Sequence, residues 1–102
     1  MQTQVSSVPF SALSGSGPQV ASTTVTFGAA VAQAAAVLTG FIAEFSGGDD
    51  HHLGQLDVQV AVPAGGISGA TVAVQVTYGL RDWSGNWDDR YDGQVFFAVI
   101  AE

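Results

Sequence analysis

Cysteine and lysine are absent from the 102-residue sequence. It contains two arginines and nine acidic residues, which gives a formal net charge of −7. Without cysteine the chain forms no disulfide and offers no thiolate, so the redox compartment cannot be read. Nucleic acids and anionic membrane surfaces both bind basic patches, so neither is an expected partner. Cations and neutral ligands such as sugars are compatible with an acidic surface.

Long apolar runs are missing too. None approaches the roughly 20 residues that cross a bilayer, so we expect no membrane insertion. The N-terminus lacks the basic and apolar regions of a secretory signal peptide. This predicts synthesis in the cytoplasm, with non-classical export or incorporation into an extracellular assembly as the routes outward.

Catalytic motifs are equally scarce. There is no cysteine nucleophile, no serine in a nucleophile-elbow context, and no glycine-rich stretch between a strand and a helix. Two carboxylates such as Asp82 and Asp88 can in principle cleave glycosides. A chain of this size has little room for a deep cleft, so we expect a protein that is not an enzyme.

What the sequence does contain is the composition and periodicity of strands. It is 47% hydrophobic and rich in Val and Thr, with 13 glycines for turns. Apolar and polar residues alternate most clearly from Leu56 to Val62. Alternation predicts strands over residues 23–27, 37–45, 55–62, 71–80 and 94–101. In the second of these it places Val37, Phe41, Ala43 and Phe45 on one face. The predicted fold is all-β: a small antiparallel β-sandwich of about six strands.

The first 22 residues are rich in Ser, Gly, Gln and Pro. We interpret residues 1–22 as an N-terminal arm or linker, with a short edge strand around Val8 to Leu13, and residues 23–102 as the sandwich domain. Packing on a neighbouring subunit and disorder are both open for the arm. The last strand is apolar on both faces, which favours cover by another copy of the chain.

The segment Asp82–Asp92 concentrates the unusual side chains. It holds both tryptophans, one of the two tyrosines and four of the nine acids. Aromatic rings stack on sugar C–H surfaces, and Asp, Asn and Arg pair with hydroxyls. The alternative is structural, with the tryptophans capping the core and Ser84-Gly85-Asn86 forming a turn. The candidate ligand-binding residues are Trp83, Asn86, Trp87, Asp88, Arg90 and Tyr91.

The same segment carries oxygen ligands at alternate positions, as in an EF-hand: Asp82, Ser84, Asn86 and Asp88. The match is incomplete, because Gly85 is misplaced, no glutamate stands at the twelfth position and strands flank the loop. We therefore predict no metal and no other cofactor, with calcium at these residues as the minor alternative.

A second polar cluster is formed by Asp49, Asp50, His51 and His52. No third ligand spacing completes a metal site there. The preferred interpretation is a loop whose carboxylates accept backbone N–H bonds or pair with an arginine. A pH-sensitive role for the histidines at a subunit interface is the other hypothesis.

The order of these segments resembles the H-type lectin domain over about residues 23–102. The resemblance rests on Val25-Thr26-Phe27, Ala36 to Phe41, Gln55 to Val58, Val72 to Leu80, the tryptophan loop, Tyr91 and Val95 to Ala101. H-type lectins are small antiparallel sandwiches that form trimers, sometimes stacked into hexamers, and bind galactose or N-acetylgalactosamine between subunits.

The resemblance implies Trp87 and Tyr91 as an aromatic wall, with Asp88 or Asn86 as a hydroxyl partner. The Trp-His pairing common in the family's loop is Trp87-Asp88 here. The leading hypothesis is a lectin-like, glycan-binding homo-oligomer, with a trimer or hexamer favoured. The alternative is a structural subunit of a symmetric assembly such as a virion, fibre or injection apparatus.

Overall fold

A computed structural model of the chain describes residues 1–13, 17–46 and 52–102, in which no α-helix occurs. In the same residues no helix is long and apolar enough to cross a membrane. Seven strands account for most of the described chain: β1 (Gln2–Leu13), β2 (Gln19–Thr26), β3 (Ala34–Phe45), β4 (Leu53–Ala61), β5 (Ile67–Ser68), β6 (Thr71–Asp82) and β7 (Tyr91–Ala101).

The strands form two antiparallel sheets. The three-stranded sheet has the order β1-β7-β3, and the four-stranded sheet has the order β2-β6-β4 with the short β5 paired to β6. The central strands β6 and β7 are consecutive in sequence but lie in different sheets. The connection between them, residues 83–90, therefore passes from one sheet to the other at one end of the molecule. The predicted antiparallel β-sandwich is confirmed.

The core lies between β6 and β7. On β6 the inward side chains Val72, Val74, Val76 and Tyr78 are all fully buried. Across from them, the inward residues of β7 include Val95, Phe97 and Val99, which are also fully buried. The predicted alternation of both strands is confirmed, because a strand buries every second residue when one face meets the core.

The N-terminal segment is a correction to the predicted arm. Strand β1 pairs with β7 along most of its length, from Gln2 opposite Ala101 to Phe10 opposite Gly93. Phe10 belongs to the core, and β2 runs across the predicted boundary at residues 22 and 23. The predicted short edge strand around Val8 to Leu13 is the second half of β1. The Ser- and Gln-rich composition gave no sign of the first half, because an edge strand needs few apolar residues to pair through its backbone.

A β-bulge in β3 reverses part of the predicted facing. The pairing with β7 shifts between Leu38 and Gly40, which leaves one extra residue in β3. Phe41 lies opposite Val95, which faces the core, but Val37 lies opposite Ala98 on the outward side. The prediction placed Val37 and Phe41 on one face, because strict alternation cannot anticipate an inserted residue.

Tyr78 joins the two sheets. Its ring centroid lies 5.3 Å from that of Phe10 on β1 and 5.5 Å from that of Tyr91 on β7. Its hydroxyl donates a hydrogen bond to the backbone carbonyl of Asp92. The ring fits because position 93 is glycine: a Cβ there would lie 2.6 Å from Tyr78 Cζ and 2.4 Å from the Ile42 carbonyl oxygen.

Gly93→Ala should therefore destabilise the fold. Overpacking a well-filled core costs about 1–3 kcal/mol, and we expect a loss in this range by urea denaturation. Gly28→Ala is the matched control, because a Cβ at Gly28 meets nothing within 4 Å. Equal stability of the two variants would contradict the close approach of Tyr78 to Gly93.

The two tyrosines of the chain should resist ionisation. Burial raises the pKa of Tyr78 from 10.0 to about 12, and burial likewise raises the pKa of Tyr91. Stabilisation by the neutral phenols is thus complete below pH ~10 and is lost as the pH rises towards the folded pKa values. Absorbance at the tyrosinate band should rise at a higher pH than for free tyrosine, which is half ionised at pH ~10. A normal titration midpoint for both groups would contradict the burial.

Candidate functional site

The connection between β6 and β7 begins with a turn built by Asp82. The Asp82 carboxylate accepts a hydrogen bond from the Ser84 backbone N–H at 3.0 Å and another from the Ser84 hydroxyl. A side-chain carboxylate bonded two residues ahead is an Asx turn. Gly85 follows with φ +87°, in the left-handed region that favours glycine. Asp82, only 8% exposed, is thus a structural residue at the base of the loop.

The start of β4 supports the same turn. The Trp83 N–H donates to the His52 carbonyl at 2.9 Å. The backbones approach so closely that a Cβ at Gly54 would lie 2.0 Å from the Asp82 carbonyl oxygen. His52 is exposed and contributes its backbone here. The rest of the predicted second cluster, Asp49, Asp50 and His51, lies outside the described residues.

The three aromatic side chains of the segment differ in depth. Tyr91 is fully buried, and its hydroxyl donates to the Gly17 carbonyl at 2.7 Å. Trp87 is half-buried, with its ring centroid 6.4 Å from that of Tyr91. Trp83 is 72% exposed. The chain therefore presents one exposed indole, backed by a half-buried one that rests on the core.

Arg81 covers part of the half-buried indole. Its guanidinium carbon lies 5.8 Å from the Trp87 ring centroid, within the range of a cation–π interaction. Its Nη1 also reaches the Gly85 carbonyl at 3.5 Å, a long contact. Arg81 was not among the predicted site residues, because its position on β6 gave no sign that it would fold over a residue six positions later. The sequence did contain one indication: one arginine directly precedes the Asp82–Asp92 segment and the other lies within it.

Three carboxylates converge beside the turn. Oxygens of Asp82, Asp88 and Asp89 all lie within 4.8 Å of one another, with Asp88 exposed and Asp89 half-buried. The structure thus joins Asp82 and Asp88 of the predicted cation set, and it adds Asp89, which the sequence reasoning missed. The other two residues of that set are joined to the turn by hydrogen bonds: the Ser84 hydroxyl donates to Asp82 and accepts from the Asn86 N–H at 3.4 Å.

The predicted ligand-binding residues fall into two groups. Asn86, Asp88 and Arg90 are exposed together with Trp83, so all four are available to a ligand. Trp87 is available in part. The expected aromatic wall of Trp87 and Tyr91 is not exposed as predicted, because Tyr91 belongs to the core. Tyr91 contacts the loop by supporting the Trp87 ring from beneath.

No family model, curated protein or solved structure matches the chain. The resemblance to H-type lectins consequently stays a prediction, and the chemistry of the loop rests on its own geometry.

Substitutions of Asp82 test whether its hydrogen bonds to Ser84 stabilise the loop and the fold. Asp82→Ala removes the acceptor for Ser84 and should cost about 1.5–3 kcal/mol of unfolding free energy, the range for hydrogen bonds to a charged group. Asp82→Asn keeps a carbonyl oxygen in the same place and should retain most of the stability. Asp88→Ala, at an exposed position, is the control for loss of a charge. A neutral Asp82→Ala would refute the structural role.

Proposed function

We propose that the protein is a non-enzymatic, lectin-like carbohydrate-binding domain whose ligand contacts the β6–β7 loop. The supporting observation is the 72% exposure of Trp83 on a loop whose base is fixed by the Asp82 turn. An indole in water is an unfavourable apolar surface, and stacking on the C–H face of a pyranose removes part of it from solvent. The side chain is presented at little cost to the fold, because it makes no part of the core cluster.

Polar groups around the indole supply the second half of the chemistry. Asn86, Asp88 and Arg90 are exposed on the same connection. A carboxylate accepts from two adjacent hydroxyls, and amide and guanidinium groups donate to them. This combination suits a neutral, hydroxyl-rich ligand, and galactose or N-acetylgalactosamine is the class that the lectin resemblance implies.

The second wall of the site is supplied, in this proposal, by a neighbouring copy. Within one chain Tyr91 is buried, so Trp83 and part of Trp87 are the only aromatic surfaces that this loop offers. A site open on one side binds weakly and selects poorly, because a ligand there keeps much of its surface in water. A boundary between subunits of a homo-oligomer, as in the trimers and hexamers of H-type lectins, closes it.

Replacing the exposed indole tests the proposal. Trp83→Ala should weaken galactose binding at least about tenfold, equivalent to ~1.4 kcal/mol, and leave the thermal midpoint unchanged. Trp87→Ala should lower both affinity and stability, because Trp87 packs against the core. Val20→Ala, at a position 57% exposed on β2, is the matched control.

The measurement is calorimetric titration with galactose, N-acetylgalactosamine and glucose, each run in calcium and in EDTA. Binding that needs calcium would assign the three carboxylates a part in the site. If none of the sugars binds at millimolar concentration, or if Trp83→Ala binds as well as the parent chain, the proposal fails.

A structural subunit of a symmetric assembly is the second candidate, and the edges of the sheets favour it. Strands β1 and β3 are each 12 residues long and form both edges of one sheet. Neither carries a lysine, the residue that commonly blocks pairing at an edge. Ordered fibres or particles in electron micrographs of sugar-free protein would support this function, and a monodisperse, sugar-binding protein would exclude it.

A further inference from the structure

The outward faces of the two sheets have opposite character. On the four-stranded sheet, residues that pair across the strands are mostly Thr, Ser and Gln, as in the row Val20–Thr77–Gln59 and the row Ser22–Gln75–Ala61. On the three-stranded sheet the corresponding rows are mostly apolar: Thr3–Ile100–Ala35, Val5–Ala98–Val37, Ser7–Phe96–Gly40 and Pro9–Gln94–Ile42. We call these four rows the outer apolar face.

Several of its large side chains are open to solvent in the single chain. Val5 is 77% exposed, Ile42 52% and Val37 44%. The four-stranded sheet has the polar outer face that is expected of a surface in contact with water. The three-stranded sheet of the same chain does not. An apolar face of this extent on a soluble protein marks an interaction surface.

Charge is confined to the ends of the outer apolar face. None of its four rows contains an acidic or basic residue. Glu44 pairs with Asp92 beyond one end, and Glu102 follows the last residue of β7 at the other. An apolar centre with a charged rim is the usual anatomy of a protein interface.

The face is also large enough to hold a partner. The four rows span about eight residues of each strand. With three strands about 4.8 Å apart and about 3.4 Å per residue, they cover a flat area of about 400 Å². Side chains standing on that plane add accessible surface, which brings the face towards the ~800 Å² that each partner contributes to a standard interface.

We propose that the outer apolar face binds a second copy of this chain across a two-fold axis, with the two three-stranded sheets packed face to face. Flat sheets pack on flat sheets about 10 Å apart, and in an isologous contact each copy covers the other's apolar surface. This deepens the homo-oligomer of the proposed function by naming its surface, but it does not depend on sugar binding. Because the contact closes on itself, it builds assemblies with an even number of chains.

The absence of charge on the outer apolar face favours a second copy over a basic partner. Its four rows offer no carboxylate for a basic partner to pair with. Two copies of net charge −7 repel each other, and this repulsion is smallest when the contacting faces are both uncharged. Added salt screens the remaining repulsion between rim carboxylates, so pairing of two copies should strengthen with salt. Binding of a basic partner would weaken with salt.

The test is the mass of the purified full chain by sedimentation equilibrium at 50 mM and 500 mM NaCl. Val37→Glu places two carboxylates in the proposed contact, one from each copy, and should weaken pairing about a hundredfold or more. Val5→Glu, in the same row at the edge, should act in the same direction. Val20→Glu, an identical change on the polar face of the other sheet, should leave the mass unchanged.

Circular dichroism checks that the variants are folded. Because Val37 and Val5 are solvent-exposed, both variants should keep the spectrum and the thermal midpoint of the parent chain. Parent protein that pairs, or forms hexamers that Val37→Glu splits to trimers, supports the proposal. A monomeric parent at millimolar concentration, a trimer unaffected by Val37→Glu, or equal dissociation by Val20→Glu overturns it. Loss of sugar binding in Trp83→Ala with unchanged mass bears on the sugar site alone.

Discussion

The packing of Tyr78 between the two central strands is the contact on which the rest of the molecule depends. Its ring meets Phe10 from β1 and Tyr91 from β7, and its hydroxyl is bonded to the backbone at Asp92. Strands of different sheets share no backbone ladder, so side chains alone fix how β6 sits against β7. Gly93 makes this possible because any side chain there would occupy the space of the phenol ring.

The candidate site inherits its rigidity from that contact. Trp87 rests on Tyr91, a member of the tyrosine cluster, and at the other end of the loop Asp82 closes the turn beneath Trp83. Both ends of the connection are therefore anchored in the core while its tip is open to solvent. Such a loop presents an aromatic ring without paying much ordering entropy on binding, which is the advantage of a preorganised recognition site.

The two proposals concern different parts of one sandwich. The β6–β7 loop lies at one end, whereas the outer apolar face extends along the broad side of the three-stranded sheet. Pairing through the broad side would leave the loop tips free for a ligand, and it would double the number of sites per particle. Weak sugar sites gain from such duplication, because a second contact on the same surface becomes intramolecular.

Much of the fold could be predicted from local periodicity, and much of the site could not. Alternation placed the inward residues of β4, β6 and β7, because burial against one core imposes a period of two on any strand. It indicated only the second half of β1, as a short edge strand around Val8 to Leu13, because edge pairing is made by backbone groups that composition does not report. It also misplaced Val37, because the bulge in β3 is one inserted residue.

By itself, the sequence determined that this is an all-β chain, acidic, without thiol chemistry, and with its unusual side chains gathered between the last two strands. Only the tertiary structure decided which of those side chains are exposed to solvent. Tyr91 and Trp83 are both aromatic residues of one segment, yet one is fully buried and the other 72% exposed. Depth depends on how two sheets stack, and that stacking is set by contacts between residues far apart in sequence.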